Sequence, residues 1–389
     1  MTSFRGYVRE LDSIRAVGSL IVMAYHFWPA THRLARCYDA LSMVGWMAMD
    51  AFFVMSGFLI AGILLDSREK PHYFQTFYAR RGLRILPVYY VVLSLMTLGL
   101  CFVDHGSGYR IFTTQWGSPF WFFCYLGNVV ISLRGFGPDK TFGPLWSLQV
   151  EEQFYLTLPL IIHVCNRRTL SRVLWSLVVI SPLVRAIWAL CDPMIRWTRC
   201  DQDTCAGLYT LLPCRMEGLA LGALIALRFR GGVWDLPRRR LTVFTVISLS
   251  ATLVIAKLGG VHWYSPFNRT VGLLLSPLAC ALLVLWLICF RGTRWTSPAR
   301  VPGLAHLARI SYATYLLHMP VGNVVKLMLT PHWKGYSHSF LAMGLCIAAT
   351  IVLATLSWFF LEKPILSLKD RFTVTRSRLK NYATAGSAA

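Results

Sequence analysis

The stretch ELDSIRAVGSLIVMAYHFWP, residues 10–29, decides the interpretation of the whole chain. It is apolar and long enough to enter a membrane, yet Asp12 and Arg15 stand near its start and His26 in its second half. A charged side chain inside a membrane costs at least ~2.5 kcal/mol for a central arginine, and it usually faces the protein interior. On a helix Arg15 and His26 lie within about 20° of each other and about 16 Å apart. The stretch therefore predicts a membrane helix with a functional polar face, the alternative being a polar pair that only packs.

Asp12 lies close to the same helical face as His26. It is about 21 Å from His26 along an ideal helix, so it cannot orient the imidazole directly. Asp12 is three residues before Arg15, and residues three apart are neighbours on a helix surface. A pair between Asp12 and Arg15 is therefore the expectation.

The composition is that of a membrane protein. Of the 389 residues 56% are hydrophobic and only 14% are charged, whereas a soluble protein carries about 25% charged residues. Apolar windows of about 20 residues, each enough to span ~30 Å of hydrocarbon, recur along the chain. We predict an all-α polytopic integral membrane protein, with a single transmembrane domain over residues 1–365. Residues 366–389 are predicted to form a basic cytoplasmic tail with a disordered end.

About ten transmembrane helices are predicted. Their windows are Ile14–Ala30, Met43–Leu65, Ile85–Val103, Leu145–Cys165, Val173–Leu190, Gly207–Leu227, Leu241–Leu258, Thr270–Phe290, Ile310–Thr330 and Ser339–Leu361. An eleventh run, Pro119–Leu133, is short, and we predict a re-entrant or interfacial segment there. With ten spans most arginines and lysines fall on the side of the N terminus, as cytoplasmic loops require, so both termini are expected in the cytoplasm.

The net charge of +22 comes mainly from the basic residues of these loops, so no nucleic-acid partner is expected. The same residues are expected to contact anionic lipid headgroups. The cysteines Cys191, Cys200 and Cys205 share one polar loop on the outer side, where two of them could pair, although the sequence does not say which. No spacing typical of a metal site is present, so no metal is expected. Trp121, Trp263 and Tyr264 are expected to act as interfacial anchors.

Two motifs place charges beside or inside spans. The loop YARRGLRILP carries Arg81 and Arg84, whose guanidinium groups suit phosphate binding, although such clusters also occur in ordinary cytoplasmic loops. WSLQVEEQFYL carries Glu151 and Glu152 about two turns inside a span. The two glutamates point about 100° apart, so at most one faces any given site. One of them either pairs with an intramembrane arginine such as Arg215 or serves catalysis.

Two further motifs allow both a structural and a functional interpretation. In DAFFVMSGFLI, the pair Ser56–Gly57 favours close helix packing over a site role. In SYATYLLHMP, Ser311, Tyr315 and His318 share one helical face, with His318 about 12 Å from the cytoplasmic end. His318 is either a core histidine or a catalytic one.

Seven stretches taken together resemble the membrane-bound acyltransferase 3 family. They are, in chain order, LDSIRAVGSLIVMAYH, FFVMSGFLI, RRGLRILPVYY, WSLQVEEQFYL, RMEGLALGALIA, ISYATYLLH and LEKPI. An arginine followed by a histidine after ten residues is characteristic of that family's first helix, and here these are Arg15 and His26. No extracellular hydrolase-like domain follows, so the expectation is a stand-alone form, multi-pass in a bacterial inner membrane.

The resemblance implies an enzyme that transfers an acyl group, usually acetyl, from cytoplasmic acyl-CoA to a hydroxyl of an envelope or exported glycan or a lipid-linked acceptor. Acetyl-CoA would be a co-substrate, with no bound cofactor. The catalytic candidates are His26, Glu151 and Asp12, and those for acyl-CoA binding are Arg15, Arg81 and Arg84. Candidates for active-site support are Ser56, Arg215, Tyr315 and His318.

The spacing on the first helix suggests how such a reaction could cross half a membrane. Arg15, Arg81 and Arg84 would hold the nucleotide phosphates while the thioester reaches His26, which takes the proton of the acceptor hydroxyl. A relay through an acyl-enzyme is left open, as are the acceptor and the acyl chain. The main alternative is a polytopic transporter or flippase of a glycan or small molecule, which would not consume acyl-CoA. A sensor or scaffold, the remaining alternative, would need neither His26 nor Glu151.

Overall fold

The computed structural model describes residues 8–29, 35–102, 107–137, 140–191, 203–232, 237–260, 262–329 and 339–368. Side chains are described throughout these ranges except at 35–44 and 107–108. Cys200 and the predicted tail from residue 369 onward lie outside them.

The described ranges are helical and contain no strand, as the sequence predicts. The helices are α1 (Leu11–Phe27), α2 (Ala35–Ser67), α3 (Tyr73–Phe102), α4 (Ser107–Trp116), α5 (Phe120–Phe123), α6 (Gly127–Arg134), α7 (Leu145–Val164), α8 (Arg167–Cys191), α9 (Ala206–Thr210), α10 (Leu212–Phe229), α11 (Arg238–Leu258), α12 (Leu273–Cys289), α13 (Pro302–Leu329), α14 (Phe340–Ser357) and α15 (Lys363–Ser367). Single turns of π-helix precede α12 and α15, and a 3₁₀ segment precedes α13.

Seven helical segments of the described chain are long and apolar enough to cross a membrane. They are Gly45–Ser67, Tyr73–Phe102, Arg167–Cys191, Ala206–Phe229, Arg238–Leu258, Asn268–Cys289 and Phe340–Ser367. The other three predicted spans correspond to α1, α7 and α13, which are also helical and carry candidate site residues. Helix α1 has 17 residues and is shorter than any of the seven segments. The total of ten spans stays a prediction.

The segment around the predicted re-entrant run forms three short helices, α4 to α6. The longest has 10 residues, which gives about 15 Å, half the thickness of the hydrocarbon layer. None of the three can cross alone, in agreement with the prediction for Pro119–Leu133.

Helices α2 and α10 pack along each other at the centre of the bundle. Two glycines permit the close approach, because the position of a Cβ on Gly57 is taken by the Leu219 backbone and that on Gly222 by the backbone of Val54 and Phe58. Small residues at such crossings are typical of helix pairs in membranes. The packing role predicted for Ser56–Gly57 is thus confirmed for the glycine.

Helix α1 is fixed at both ends, and this fixes the polar face that it carries. At its start the Glu10 carboxylate accepts a hydrogen bond from the Gly292 backbone N–H at 2.8 Å and lies 3.6 Å from Arg300 Nε. At its other end Phe27 packs on Gly322 of α13, where a side chain would not fit. The helix is therefore held between the loop after α12 and helix α13.

The structure reduces the number of possible disulfide pairs among Cys191, Cys200 and Cys205. Cys205 is disulfide-bonded and Cys191 is a free thiol, so Cys191 is not a member of the pair.

A buried ion pair joins α8 to α10. Arg185 Nη1 lies 2.5 Å from Glu217 Oε1, and Arg185 also donates to the carbonyl of Leu273 at 3.1 Å. The Ser181 hydroxyl donates to the other Glu217 oxygen. The Arg185 guanidinium also donates to the Cys214 carbonyl. The side chains of Arg185 and Glu217 are 0% and 2% exposed, so protein groups rather than water compensate both charges.

The substitution Glu217→Gln is expected to destabilise the protein by about 3–5 kcal/mol, because it leaves the Arg185 charge buried without a counter-charge. The measurement is the thermal unfolding midpoint of the purified protein in detergent. The matched control is Asp66→Asn, which breaks the partly exposed ion pair with Arg230; exposed pairs contribute about 0–1 kcal/mol. Equal decreases of the unfolding midpoint in the two variants would contradict the stabilising role of the Arg185–Glu217 ion pair.

Candidate active site

Two cavities adjoin inside the bundle and share Met49 and Tyr315 as lining residues. The smaller, about 110 Å³, is named the arginine cavity and is lined among others by Arg15, Ser56, Arg81, Arg84 and Glu151. The larger, about 370 Å³, is named the histidine cavity and is lined among others by Tyr25, His26, Lys140, Trp146, Tyr209 and Lys326. The structure thus gathers seven of the predicted site residues into two adjoining spaces, and one of the seven, Tyr315, lines both.

Helix α1 runs beside both cavities. Arg15, in its first half, lines the arginine cavity, and His26, eleven residues on, lines the histidine cavity. The one-face geometry predicted for these two residues is confirmed. Asp12, Arg215 and His318 are not among the residues that line either cavity.

The tautomer of His26 follows from its hydrogen bond. His26 Nδ1 lies 2.8 Å from the Val22 carbonyl oxygen, one turn earlier on the same helix. A carbonyl only accepts, so Nδ1 carries a proton, and in the neutral imidazole Nε2 therefore keeps its lone pair. A ring nitrogen with a lone pair is what a general base needs.

A second histidine ring lies beside His26. The centroids of His26 and His318 are 5.0 Å apart, at an interplanar angle of 63°. His318 Nδ1 donates to the Tyr315 carbonyl at 2.6 Å, while His318 Nε2 is buried and has no hydrogen-bond partner among the described residues. His318 therefore supports the His26 ring from behind the cavity wall.

Arg81 clamps the two glutamates of α7. Its Nη2 lies 3.0 Å from Glu152 Oε1 and 3.8 Å from Glu151 Oε2, and its guanidinium stacks 4.0 Å from the Tyr155 ring. Glu151 also accepts a hydrogen bond from Ser56 at 3.1 Å. Glu151 lines the arginine cavity and Glu152 is not among its lining residues, in line with the prediction that only one of the two faces a site.

The alternative partner suggested for these glutamates is wrong. Arg215 Nη2 lies 2.7 Å from Asp50 Oδ1 in a pair whose side chains are 0% and 2% exposed. Asp50 on α2 and Arg215 on α10 meet because the glycines bring these two helices together. The cation beside Glu151 and Glu152 is Arg81.

Arg15 and Arg84 differ from Arg81 in having no hydrogen bond or ion pair to a described residue. Both line the arginine cavity, and each lies within electrostatic reach of the other. Asp12 acts electrostatically on Arg15, as the helical spacing predicts. Two such guanidinium groups at one cavity favour an anionic ligand.

Tyr315 connects the polar motif of α7 to α13. Its hydroxyl lies 2.6 Å from Ser147 Oγ and donates to the Pro144 carbonyl. This bond fixes the side chain that separates the two cavities. Of the predicted supporting residues, Ser56 and Tyr315 therefore line a cavity, whereas Arg215 and His318 act from behind.

The aromatic wall of the histidine cavity was not predicted. Trp263 was expected to anchor the protein at the membrane interface, yet it is 5% exposed and lines this cavity beside Tyr209 and Trp146. The interfacial assignment of Trp263 is wrong, whereas Trp121 is 41% exposed. The aromatic residues of a wall and of an interface look alike in sequence, and only the packing tells them apart.

No group of three or more His, Cys, Asp or Glu side chains in the described part of the chain is placed to hold a metal ion.

The fold and its cavities define a multi-pass helical membrane protein with a buried polar site. The family model described as "Acyltransferase domain" matches residues 8–359. The chain therefore belongs to the acyltransferase 3 family, as its motifs predict.

Three curated relatives illustrate the similarity. The peptidoglycan O-acetyltransferase OatA of Listeria monocytogenes is 27% identical over 93% of this chain and 56% of its own length. The putative peptidoglycan O-acetyltransferase YrhL of Bacillus subtilis is 27% identical over 94% and 56%. The acyltransferase MdmB of Streptomyces mycarofaciens is 26% identical over 93% and 92%. The chain thus spans about half the length of the first two, and no solved structure matches it.

Proposed function

We propose that this protein transfers an acetyl group from acetyl-CoA to a hydroxyl of an envelope glycan. The observation that carries the proposal is the His26 tautomer: Nδ1 is tied to Val22, so Nε2 is the acceptor of the ring in the histidine cavity. The names of the two peptidoglycan O-acetyltransferases among the relatives support the acyl group and the glycan acceptor.

In this proposal the acceptor hydroxyl binds in the histidine cavity. His26 Nε2 takes the hydroxyl proton as the oxygen attacks the thioester carbonyl carbon. The carbon–sulfur bond breaks, and the sulfur of CoA leaves with the proton that His26 returns. An acyl-enzyme is not required, because the two cavities adjoin and the reacting groups can meet directly.

The donor enters through the arginine cavity. At about 110 Å³ this space is well below the ~300–1,000 Å³ of typical ligand pockets, so it suits the thin pantetheine arm rather than the nucleotide. Arg15 and Arg84 then bind phosphates, Arg84 from its exposed position at the edge. Arg81 keeps Glu151 in place instead of contacting the donor, which refines the role expected for it.

The orientation that follows puts the arginine cavity toward the cytoplasm and the histidine cavity toward the outside of a bacterial inner membrane. Acetyl-CoA is a cytoplasmic metabolite, whereas an envelope glycan is presented outside. The distribution of basic loops supports this orientation, with both termini in the cytoplasm.

The test compares ester-linked groups on envelope and secreted glycans, by mass spectrometry, between cells that contain the protein and cells that lack it. We expect an acetyl ester on one glycan in the first cells and its loss in the second, with restoration by the gene in trans. Identical ester profiles on every glycan fraction would contradict the proposed function.

A further inference from the structure

The histidine cavity has a rigid aromatic wall that the transfer chemistry does not require. The ring centroids of Tyr209 and Trp263 are 4.3 Å apart at 17°, and those of Trp146 and Tyr209 are 4.6 Å apart. Arg215 lies 4.7 Å from the Tyr209 ring and is itself held by Asp50. The wall is therefore fixed from behind by a buried ion pair. Aromatic faces carry partial negative charge and pack well against the C–H faces of sugar rings.

Two lysines lie across this cavity. Lys140 comes from the loop before α7 and Lys326 from α13, and both line the cavity and act electrostatically on His26. None of the described residues that line the cavity is an aspartate or a glutamate. A concave site with charges of one sign concentrates ligands of the opposite sign.

Described residues on both sides of Lys140 are held by hydrogen bonds. Trp116 Nε1 donates to the Gly135 carbonyl at 3.1 Å, and the Asp203 carboxylate accepts from the Phe136 backbone N–H at 2.7 Å. Farther along, Asn323 Nδ2 donates to Thr141 Oγ1 at 2.7 Å. That last bond ties the loop of Lys140 to the helix of Lys326, so the two ammonium groups are carried by connected supports.

We propose that the acceptor is an anionic sugar, bound with its ring on the Trp146–Tyr209–Trp263 wall and its carboxylate or phosphate at Lys140 and Lys326. This rests on the proposed function. The cavity of about 370 Å³ has the size of a small-ligand pocket. The shared chemistry of the two anions is a negatively charged oxygen group, which lysine ammonium groups bind as point charges.

The test measures acceptor kinetics with acetyl-CoA and the purified, reconstituted protein. Three acceptors are compared: peptidoglycan glycan strands with free carboxylates, the same strands after methyl esterification, and a polyprenyl-pyrophosphate-linked disaccharide. We expect one anionic acceptor to exceed the neutral ester at least tenfold in kcat/KM. A preference for the free strands identifies the carboxylate as the recognised anion, and a preference for the lipid-linked sugar identifies the phosphate.

Lys140→Gln and Lys326→Gln are each expected to raise KM for the preferred anionic acceptor about tenfold and so remove its advantage over the neutral ester. Lys140→Arg and Lys326→Arg keep the charge and retain most of the preference. Lys257→Gln on α11, which lines neither cavity, is the matched control and leaves the kinetics unchanged. Equal use of neutral and anionic acceptors by the wild type, or a preference that survives both glutamine variants, would overturn the anionic subsite and leave the proposed function standing. Absence of acceptor-dependent CoA release with all three acceptors would overturn the proposed function and the subsite with it.

Discussion

Replacing His26 with alanine is expected to abolish acyl transfer while the protein still inserts and folds. His26 is the histidine that lines the larger cavity, and its Nδ1–H bond to Val22 leaves Nε2 as the proton acceptor. A positioned general base contributes about 10²–10⁴-fold to a rate. We therefore expect at least a hundredfold loss of kcat, read as ester formed per amount of folded protein.

Two further variants separate catalysis from packing. His26→Asn keeps a polar side chain with an N–H donor for Val22 but has no basic nitrogen to take the proton, so it is expected to be as inactive as alanine. His306→Ala is the control: His306 bonds to Thr355 on α14 and lines neither cavity. Activity retained in either His26 variant would contradict the assignment of His26 as the general base.

The second large effect is expected at Arg15, where Arg15→Gln should raise KM for acetyl-CoA by about 10- to 150-fold. Arg15 lines the arginine cavity without a bonded partner among the described residues, and a hydrogen bond to a charged group contributes about 1.5–3 kcal/mol. The KM of Arg15→Lys for acetyl-CoA should lie between those of the wild type and Arg15→Gln, because lysine keeps the charge but lacks the planar guanidinium group. The measurement is the initial rate of CoA release over a range of acetyl-CoA concentrations.

Arg9→Gln is the matched control for this series. Arg9 precedes the same helix, is exposed and lines neither cavity, so its KM should equal that of the wild type. A lower kcat at an unchanged KM in Arg15→Gln would show that Arg15 supports the reacting end instead of holding the donor.

The polar face of α1 could be predicted from the sequence because it depends only on helical spacing. Eleven residues place Arg15 and His26 on one side at a fixed distance, whatever packs against them. The different orientations of Glu151 and Glu152 could be predicted in the same way, since adjacent residues on a helix point in different directions. Both predictions agree with the cavity linings.

The partners of the buried charges could not be predicted in this way. Arg81 and Glu152 are 71 residues apart in the chain, and Arg215 and Asp50 are 165 apart. A buried arginine is expected to pair with a carboxylate, yet the sequence does not show which of the chain's carboxylates is the partner. The choice is made by helix packing, above all by the close contact of α2 with α10 at Gly57.

The wall of the histidine cavity shows the same limit. Trp263 lies between two predicted spans, where aromatic residues often sit at the membrane interface. The sequence therefore favours an interfacial anchor. Its burial against Tyr209 depends on how the loop between α11 and α12 folds back onto the bundle. Lys140 likewise looks like an ordinary loop lysine until its loop is joined to Asn323.

Proteoliposomes allow the stoichiometry of the proposed acetyl transfer to be measured. Purified protein receives acetyl-CoA on one side and a glycan acceptor on the other, and free CoA thiol and glycan ester are measured together. We expect thiol and ester in equal amounts, both dependent on the acceptor and both absent with His26→Ala. Movement of the glycan across the membrane without release of CoA thiol would exclude the proposed acyl transfer and establish a transporter instead.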